Sequence, residues 1–390
     1  MEIEIKSRTI EFAAKLLEDI FSEDAPNLAV EISAHKEKGV TLSAGYAGCC
    51  VTLPLATARV IEPGVGVANL GGLLAAFLAL PRGEIAVATD SKPGMIVFSS
   101  GVRMRLDMPV GTVTRPCGVV LRGSERCAVV DTSALLNAID DVRRAMATEA
   151  DRPILRAVKL EISPDLRLAT AATDGRRLAF VERKLGITTS LPADGGSFEV
   201  ELSAAAVRFI LSAPHGDRTS IFLVEHDRVK ILTGGSSAIF TAPGGFPKWR
   251  DVVPAEETPQ VAGLPCQETS AALRALLTFA GFDEDDDPAD APHVKITREK
   301  DSVELKRVVA PDDYILTGDF TAHFNVGLTE HPPFSVAINA KYLLDALGEH
   351  TGSVIIRARK NESDAGYGIL RLDFEDDADI HEVIMPLREI

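Results

Sequence analysis

The chain has 390 residues and few of the features that mark an oxidised, zinc-binding or membrane-spanning protein. Its cysteines, Cys49, Cys50, Cys117, Cys127 and Cys266, are scattered and form no Cys-x-x-Cys pair, so neither a disulfide framework nor a zinc site is predicted. No apolar run reaches the roughly 20 residues that span a bilayer, and no basic stretch followed by an apolar segment opens the chain. We therefore expect a cytoplasmic protein that does not interact with membranes.

Positive charge is also scarce, because 41 Lys and Arg residues face 57 Asp and Glu residues, for a formal net charge of −16. Affinity for phosphate comes from lysine and arginine, so the surface as a whole is not built to hold nucleic acid, although a local basic lining is compatible with this charge. The acidic run Asp283–Asp287 is predicted to be a solvated loop. An EF-hand requires a glutamate where Val294 and Ile296 stand.

The signatures of catalysis are missing as well. Gly64–Asn69 carries asparagine in place of the third glycine of a dinucleotide fingerprint, and is predicted to be a loop. Gly234–Ala238 lacks the closing glycine of a nucleophile elbow, and the eight histidines show no His-Glu-x-x-His spacing. The sequence therefore predicts no catalytic residue, metal ligand or cofactor. An unrelated β-rich enzyme with a site that leaves no motif is the remaining enzymatic alternative.

Helical periodicity appears in short amphipathic stretches that recur along the chain. These are Thr9–Phe21, Leu70–Leu80, Thr132–Ala147, Ala204–Leu211, Thr269–Phe279 and Ala340–Leu347. The segment Asp131–Ala134 resembles Glu268–Ala271, and Ser203-Ala204 resembles Asn339-Ala340. The members of the two pairs are separated by nearly the same number of residues, and both pairs begin with residues suited to a helix N-cap. Strand-like alternation fills the intervals. The pattern predicts an α+β protein of three tandem domain copies, at 1–121, 122–256 and 257–390.

Asp174-Gly175 separates two apolar, alternating runs, Leu166–Thr173 and Arg177–Arg183. Both residues of an Asp-Gly pair tolerate positive φ, so the segment predicts a tight β-hairpin. Asp174 could be imagined as a general base, but the turn already accounts for it.

Together with two later motifs, the hairpin makes the chain resemble the β subunits of bacterial DNA polymerase III, the replicative sliding clamps. The matching segments are Thr-Asp-Gly-x-Arg-Leu-Ala at Thr173–Ala179, Phe-Pro-x-aromatic-Arg-x-Val-x-Pro at Phe246–Pro254, and Met-Pro-hydrophobic-Arg at Met385–Arg388. Weaker support comes from Glu62–Gly64, Leu80–Ile85 and Asn339–Asp345.

The resemblance implies three copies of the DNA clamp domain per chain and a head-to-tail ring dimer, with helices lining the hole. Duplex DNA would be held topologically and without sequence preference, which suits an acidic chain. Implied partners are DNA polymerase III, other proteins with a clamp-binding motif, and the clamp loader ATPase. Implied DNA-facing residues, on or beside the predicted helices, are Lys6, Arg8, Lys15, Arg143, Arg144, Arg208, Arg274 and Lys341. The implied function is a non-catalytic processivity factor; the alternative is a diverged paralogue that acts as an interaction scaffold or regulator.

The resemblance also implies a pocket that takes a short peptide from polymerases and repair proteins. Its expected members are Leu155, Thr173, Gly175, Leu178, Pro247, Val252, Val383, Met385, Pro386 and Leu387, with Arg152, Arg176, Asn339 and Tyr342 at the polar margin. Plain core packing is the alternative for the apolar members. The chain departs from the family at Arg176, where histidine is usual, at Ile154, where some members have tyrosine, and at its end, which carries one extra residue.

Overall fold

A computed structural model describes most of the chain as two compact units. The described residues are 1–21, 28–46, 48–89, 95–99, 102–106, 126–149, 151–185, 196–214, 219–283, 286–299, 302–308, 320–325, 334–360 and 367–387. Unit 1 comprises Met1–Ile139, Ala157–Leu168 and Lys184–Gly244, and unit 2 comprises Asp140–Arg156, Ala169–Arg183 and Gly245–Ile390. The division into three tandem copies remains a prediction.

The described residues contain six α-helices, and each corresponds to a stretch with predicted helical periodicity. They are α1 (Ser7–Ile20), α2 (Leu70–Ala79), α3 (Thr132–Arg143), α4 (Ala204–Ser212), α5 (Cys266–Phe279) and α6 (Ala340–Leu347). Only α6 matches at both ends. The largest differences are at α3, which ends at Arg143 rather than Ala147, and at α5, which begins at Cys266 rather than Thr269; the ends of α1, α2 and α4 differ by one or two residues. The helix predictions are therefore confirmed, with errors confined to boundaries.

Side-chain caps explain where four of the helices begin. Asn69, Asp131, Ser203 and Asn339 each accept a hydrogen bond from the backbone N–H three residues on, at 2.9 to 3.4 Å. Such a cap satisfies a donor that the helix itself leaves unpaired. Glu268 was expected to play this part for α5, and that expectation was wrong. It lies in the first turn, where its negative charge still favours the helix N-terminus.

Short antiparallel strands make up the rest of the regular structure. In chain order they are β1 (Glu2–Lys6), β2 (Ala29–His35), β3 (Gly39–Tyr46), β4 (Cys49–Pro54), β5 (Arg59–Glu62), β6 (Gly64–Asn69), β7 (Glu84–Ala88), β8 (Met95–Ser99), β9 (Val102–Leu106), β10 (Arg126–Asp131), β11 (Ala157–Ile162), β12 (Arg167–Thr173), β13 (Arg177–Lys184), β14 (Phe198–Ser203), β15 (Thr219–Glu225), β16 (Arg228–Thr233), β17 (Ser236–Thr241), β18 (Gln260–Pro265), β19 (His293–Glu299), β20 (Ser302–Val308), β21 (Thr321–Asn325), β22 (Phe334–Asn339), β23 (Ser353–Arg357), β24 (Leu370–Phe374) and β25 (Ile380–Ile384). The mixture of helices and antiparallel sheets confirms the predicted α+β class.

Unit 1 contains two sheets, with strand orders β5-β1-β7-β8-β9 and β10-β15-β16-β17-β4-β3-β2-β6. In this unit β11 also pairs with β14. Burial alternates along its strands, as in β2, where Val30, Ile32 and Ala34 are buried and their neighbours are not. This period of two places one face of each sheet on an apolar core.

The prediction of a loop at Gly64–Asn69 was wrong, because the segment is strand β6 and pairs with β2 in full register. Gly66, one of the glycines in this segment, allows other side chains to pack closely against the strand. A side chain at Gly66 would lie within 3.0 Å of the Met95 and Thr89 side chains, so only glycine fits.

Unit 2 contains β12, β13, β25, β24, β23 and β18 in that order in one sheet, and β21-β20-β19-β22 in another. Helices α5 and α6 pack against each other. A six-member apolar cluster covers one face of the first sheet, formed by Ala169, Ala171, Leu178, Phe180, Trp249 and Val383. This cluster positions the candidate site.

Candidate functional site

The loop between β12 and β13 has a different form from the predicted two-residue turn. It spans residues 174 to 176, and of these only Gly175 has positive φ, at 87°. The Asp174 carboxylate instead accepts the N–H groups of Arg176 and Arg177 at 2.8 and 2.9 Å. The Thr173 hydroxyl donates to the Arg177 carbonyl at 2.6 Å. The hairpin is confirmed, and side-chain hydrogen bonds rather than a second positive φ define its loop.

The end of the described chain runs alongside this hairpin. Strand β25 pairs with β13, so that Val383 lies opposite Leu178. Just beyond β25, the Met385 N–H donates to the Arg176 carbonyl at 2.9 Å. The Leu387 N–H then donates to a β22 carbonyl at 2.8 Å. Backbone hydrogen bonds thus hold two segments that are remote in sequence side by side.

A third segment, within Phe246–Pro254, closes the site. Its 3₁₀ helix Trp249–Val252 buries the indole of Trp249, whose ring centroid lies 5.1 Å from that of Phe180. The Arg250 guanidinium also lies over the indole, 4.0 Å from the ring centroid. Trp249 therefore anchors this segment to the apolar face of the sheet.

The three segments enclose an apolar cavity of about 190 Å³. Its lining comprises Thr173, Gly175, Arg176, Arg177, Leu178, Pro247, Lys248, Trp249, Val252, Ile369, Val383 and Met385. At the rim of the cavity, the large apolar side chains of Val252 and Met385 are each 47% exposed to solvent. A cavity with exposed apolar edges is suited to the apolar side chains of a ligand.

Eight of the predicted pocket residues line this cavity, and the remaining six lie around it. Those in the lining are Thr173, Gly175, Arg176, Leu178, Pro247, Val252, Val383 and Met385. Arg152 and Tyr342 line a smaller polar cavity of about 30 Å³, which shares Arg176 and Arg177 with the apolar one. Leu155, Asn339, Pro386 and Leu387 are in neither lining.

The residues outside the linings have structural contacts of their own. The Leu155 side chain lies beside Gly175. Asn339 caps α6 and donates from its side-chain amide to the Pro288 carbonyl at 2.8 Å. Pro386 is half-buried beside the bonded Leu387. The assignment of these residues to a ligand site stays a prediction.

Sequence reasoning missed four members of the lining. Lys248 and Trp249 lie inside the motif Phe246–Pro254, so the aromatic position of that motif could have revealed the indole. Arg177 likewise belongs to the hairpin motif. Ile369 precedes β24 and carries no sequence signal, because only sheet pairing brings it to the cavity.

A buried ion cluster lies on the opposite face of the same strands. Arg177 donates to Asp345 at 2.7 Å, to Asp174 at 3.1 Å and to the Arg144 carbonyl at 2.6 Å. Its guanidinium also lies 4.5 Å from the centroid of the Tyr342 ring. The loop of the hairpin is thereby tied to α6, which carries Asp345.

Glu382 completes this cluster from β25. It is 2% exposed and pairs with Arg144 at 3.1 Å. Burial raises the pKa of Glu382 to about 7, although the neighbouring Arg144 and Arg177 guanidinium groups act in the opposite direction. Desolvation outweighs pairing here because a carboxylate loses its hydration when it is fully buried.

Arg176 differs from its buried neighbour in being exposed at the junction of the two cavities. The nearby Tyr342 hydroxyl raises the pKa of Arg176. The side chain is therefore a permanent positive charge at the junction.

The basic residues predicted to face DNA fall into two groups, one in each unit. In unit 1, Lys6 and Arg8 are exposed, Lys15 pairs with Glu11 at 2.8 Å, and Arg208 donates to the Ile20 carbonyl at 3.2 Å. The last contact joins α4 to the end of α1.

In unit 2, Arg274 is exposed on α5 and Arg143 pairs with Asp140 at 2.6 Å. Lys341 pairs with Asp345, and Arg144 is held by Glu382. Arg144 and Arg208 thus have structural contacts within the chain. A role for any of the eight in DNA contact remains a prediction.

None of the helices among the described residues is long and apolar enough to cross a membrane. Among the same residues, no group of three His, Cys, Asp or Glu side chains could hold a metal ion.

The chain is similar to bacterial beta clamps in sequence and in structure, although no protein-family model matches it. The beta sliding clamp of Caulobacter vibrioides is 24% identical over 347 residues, which cover 85% of this chain and 84% of that protein. The solved Helicobacter pylori beta clamp bound to a DNA ligase peptide matches with a TM-score of 0.79 and 16% identity. The DNA polymerase III beta subunit of Thermotoga maritima gives the same TM-score and identity, and each comparison covers 100% of both chains. The chain therefore has the bacterial beta-clamp fold, as the motifs indicated.

Proposed function

We propose that this chain is a DNA sliding clamp, a non-catalytic processivity factor that encircles duplex DNA and tethers a polymerase through a peptide pocket. The observation that carries the proposal is the apolar cavity built from the hairpin, the Trp249 segment and the end of β25. The Helicobacter pylori clamp of the same fold has been solved with a DNA ligase peptide, which supports a peptide as the occupant here.

The cavity dimensions suit weak and exchangeable binding. Burying two apolar anchors contributes about 1.5 to 3 kcal/mol each, before the costs of ordering a peptide. Several partners could then use one site in turn, which a tether for different polymerases and repair enzymes requires.

The proposed assembly is a head-to-tail homodimeric ring of three clamp domains per chain, at 1–121, 122–256 and 257–390. The clamp fold and the near-periodic helix starts support it. The net charge of −16 also fits, because a ring that holds DNA topologically needs little affinity for phosphate. A clamp loader ATPase would open such a ring.

Retention on DNA after loading tests the topological part. The protein is loaded onto primed circular plasmid by a clamp loader, and half of the sample is linearised before gel filtration. A closed ring stays with circular DNA and slides off linear DNA. Equal retention on both forms would contradict the proposal.

A diverged paralogue that serves as an interaction scaffold is the second candidate. The observation in its favour is that the Arg144 and Arg208 side chains form hydrogen bonds within the chain. Such a protein would bind clamp-binding peptides and show no retention on circular DNA. The loading experiment therefore separates the two candidates.

A further inference from the structure

The charged side chains that line the apolar cavity are all cationic. They are Arg176, Arg177 and Lys248, and among the residues that the structure describes no acidic side chain lines this cavity. Arg177 is buried and its charge is balanced by Asp174 and Asp345. Arg176 and Lys248 are exposed, so two positive charges flank the entrance of a site whose remaining lining is mostly apolar.

Neither exposed cation forms an ion pair within the described part of the chain. The acidic groups near Arg176 are Asp174 and Glu149. Asp174 accepts two backbone N–H groups and the Arg177 side chain, and Glu149 pairs with Arg152 at 3.0 Å. Arg176 itself contacts the neutral Tyr342 hydroxyl, which leaves most of its five N–H donors for a ligand.

We propose that the preferred occupant of this pocket is an acidic peptide, in which carboxylate side chains next to the apolar anchors pair with Arg176 and Lys248. This inference rests on the proposed peptide-binding function and specifies its ligand. In a chain with an overall charge of −16, an acidic partner is repelled by most of the surface. Two cations at the pocket therefore orient the peptide as well as select it.

A peptide suits the cavity better than single-stranded nucleic acid does. Sequence-tolerant binding of nucleic acid relies on exposed aromatic rings on which bases stack. The one aromatic side chain in the lining, Trp249, is 4% exposed and covered by Phe180 and Arg250.

Two labelled peptides measure the preference by fluorescence polarisation on the full chain. Both carry leucine and phenylalanine anchors, flanked by glutamates in one and by glutamines in the other. At low salt the glutamate peptide should bind about tenfold tighter, since two exposed ion pairs contribute about 0.5 to 1 kcal/mol each. The ratio should fall towards one as salt is raised, because screening weakens exposed pairs.

Matched variants assign the effect to residues. Arg176→Gln with Lys248→Gln should abolish the preference, so that the variant binds the glutamate and glutamine peptides with equal affinity. Arg167→Gln with Lys36→Gln removes the same charge at exposed positions of unit 1 and should preserve the preference.

The outcomes separate this inference from the function on which it rests. Equal binding of both peptides would overturn the acidic preference and leave the pocket intact. Binding of neither would overturn the pocket itself. The acidic preference would also be overturned if it persisted in the Arg176→Gln and Lys248→Gln variant. Displacement of the glutamate peptide by a single-stranded oligonucleotide at equal charge concentration would overturn it as well.

Discussion

The two faces of strands β13 and β25 differ in almost every property. One face presents Leu178 and Val383 to Trp249 and the apolar cavity. The other presents Arg177 and Glu382 to a buried cluster of charges. Because side chains alternate across a strand, adjacent residues serve opposite faces.

The difference between the two faces explains how an apolar site can keep its conformation without a ligand. Dispersion contacts on the cavity face are not directional, and part of that face is open to solvent. The charged face supplies directional contacts, with Arg177 bonded to the hairpin loop, to α6 and to the Arg144 carbonyl. The ionic face therefore positions the hairpin, and the apolar face is the one at which we propose peptide binding.

The largest expected effect comes from breaking the charged face. Arg177→Ala would remove the buried cation that pairs with Asp345 and Asp174, and breaking a buried pair in this way costs about 3 to 5 kcal/mol. Urea unfolding followed by the fluorescence of Trp249, the sole tryptophan, measures this loss in unit 2.

Arg167→Ala is the control for that measurement, because it removes an exposed arginine paired with Asp165. An exposed pair contributes about 0 to 1 kcal/mol. If the two variants unfolded at the same urea concentration, the charged face would not be what stabilises the hairpin.

A smaller effect is expected from the pH dependence of the same face. The folded pKa of Glu382 is about 7, above its usual value of 4.5. The folded state therefore holds this proton more tightly, so its contribution to stability is complete below pH 4.5 and is lost as pH rises through about 7. Between pH 5 and 8, the free energy of unfolding should fall by on the order of 2 kcal/mol relative to Glu382→Gln.

Urea unfolding of the unmodified protein and of Glu382→Gln, measured side by side at several pH values in that range, checks this prediction. Their difference cancels the titration of groups common to both. If the difference in the free energy of unfolding did not change with pH, Glu382 would be ionised throughout this range, as expected for a simple ion pair with Arg144.

On the apolar face, Met385→Ala tests binding with little cost in folding. The side chain is 47% exposed, so its removal should leave the unfolding midpoint nearly unchanged. Peptide affinity should fall about tenfold, because roughly half of a methionine side chain is buried only by the ligand. Leu78→Ala removes an exposed leucine of unit 1 and should leave affinity as it was.

The smallest expected effect concerns the loop that joins the two faces. Gly175 has a φ of 87°, and alanine in that conformation costs about 1 kcal/mol. Gly175→Ala should lower both stability and peptide affinity slightly. Gly39→Ala carries the same strain in the β2–β3 turn of unit 1, with φ of 78° and open space around it. Gly39→Ala should lower stability without changing peptide affinity. If both variants changed peptide affinity equally, the loop at Gly175 would have no specific role in binding.

Periodicity and turn chemistry predicted the local elements well. The cap residues Ser203 and Asn339 mark helix starts that the structure confirms. The errors arose where a long-range contact overrode a local pattern. Gly66 suggested a loop but lies in a strand that pairs with β2, where the Met95 and Thr89 side chains lie close to it.

The candidate site was predictable only as far as motifs reach. The hairpin, the Phe246–Pro254 segment and the Met385 region were identified as its walls, and each contributes to the lining. Ile369 was not, because nothing near it in sequence distinguishes it from a core residue. The ionic role of Arg144 was also missed, since its partner Glu382 is remote in the chain.

The sequence by itself determined the α+β class, the helices, the hairpin and the resemblance to beta clamps, because these depend on periodicity, capping and short motifs. Only the tertiary structure decided which residues share the cavity, which arginines are balanced and which remain exposed at its rim. Burial and pairing depend on neighbours that sheet formation brings together, and no local pattern records them. Arg176 and Arg177 illustrate this, since they are adjacent in the chain and both line the cavity, yet Arg177 is buried and paired with Asp174 and Asp345 while Arg176 is exposed.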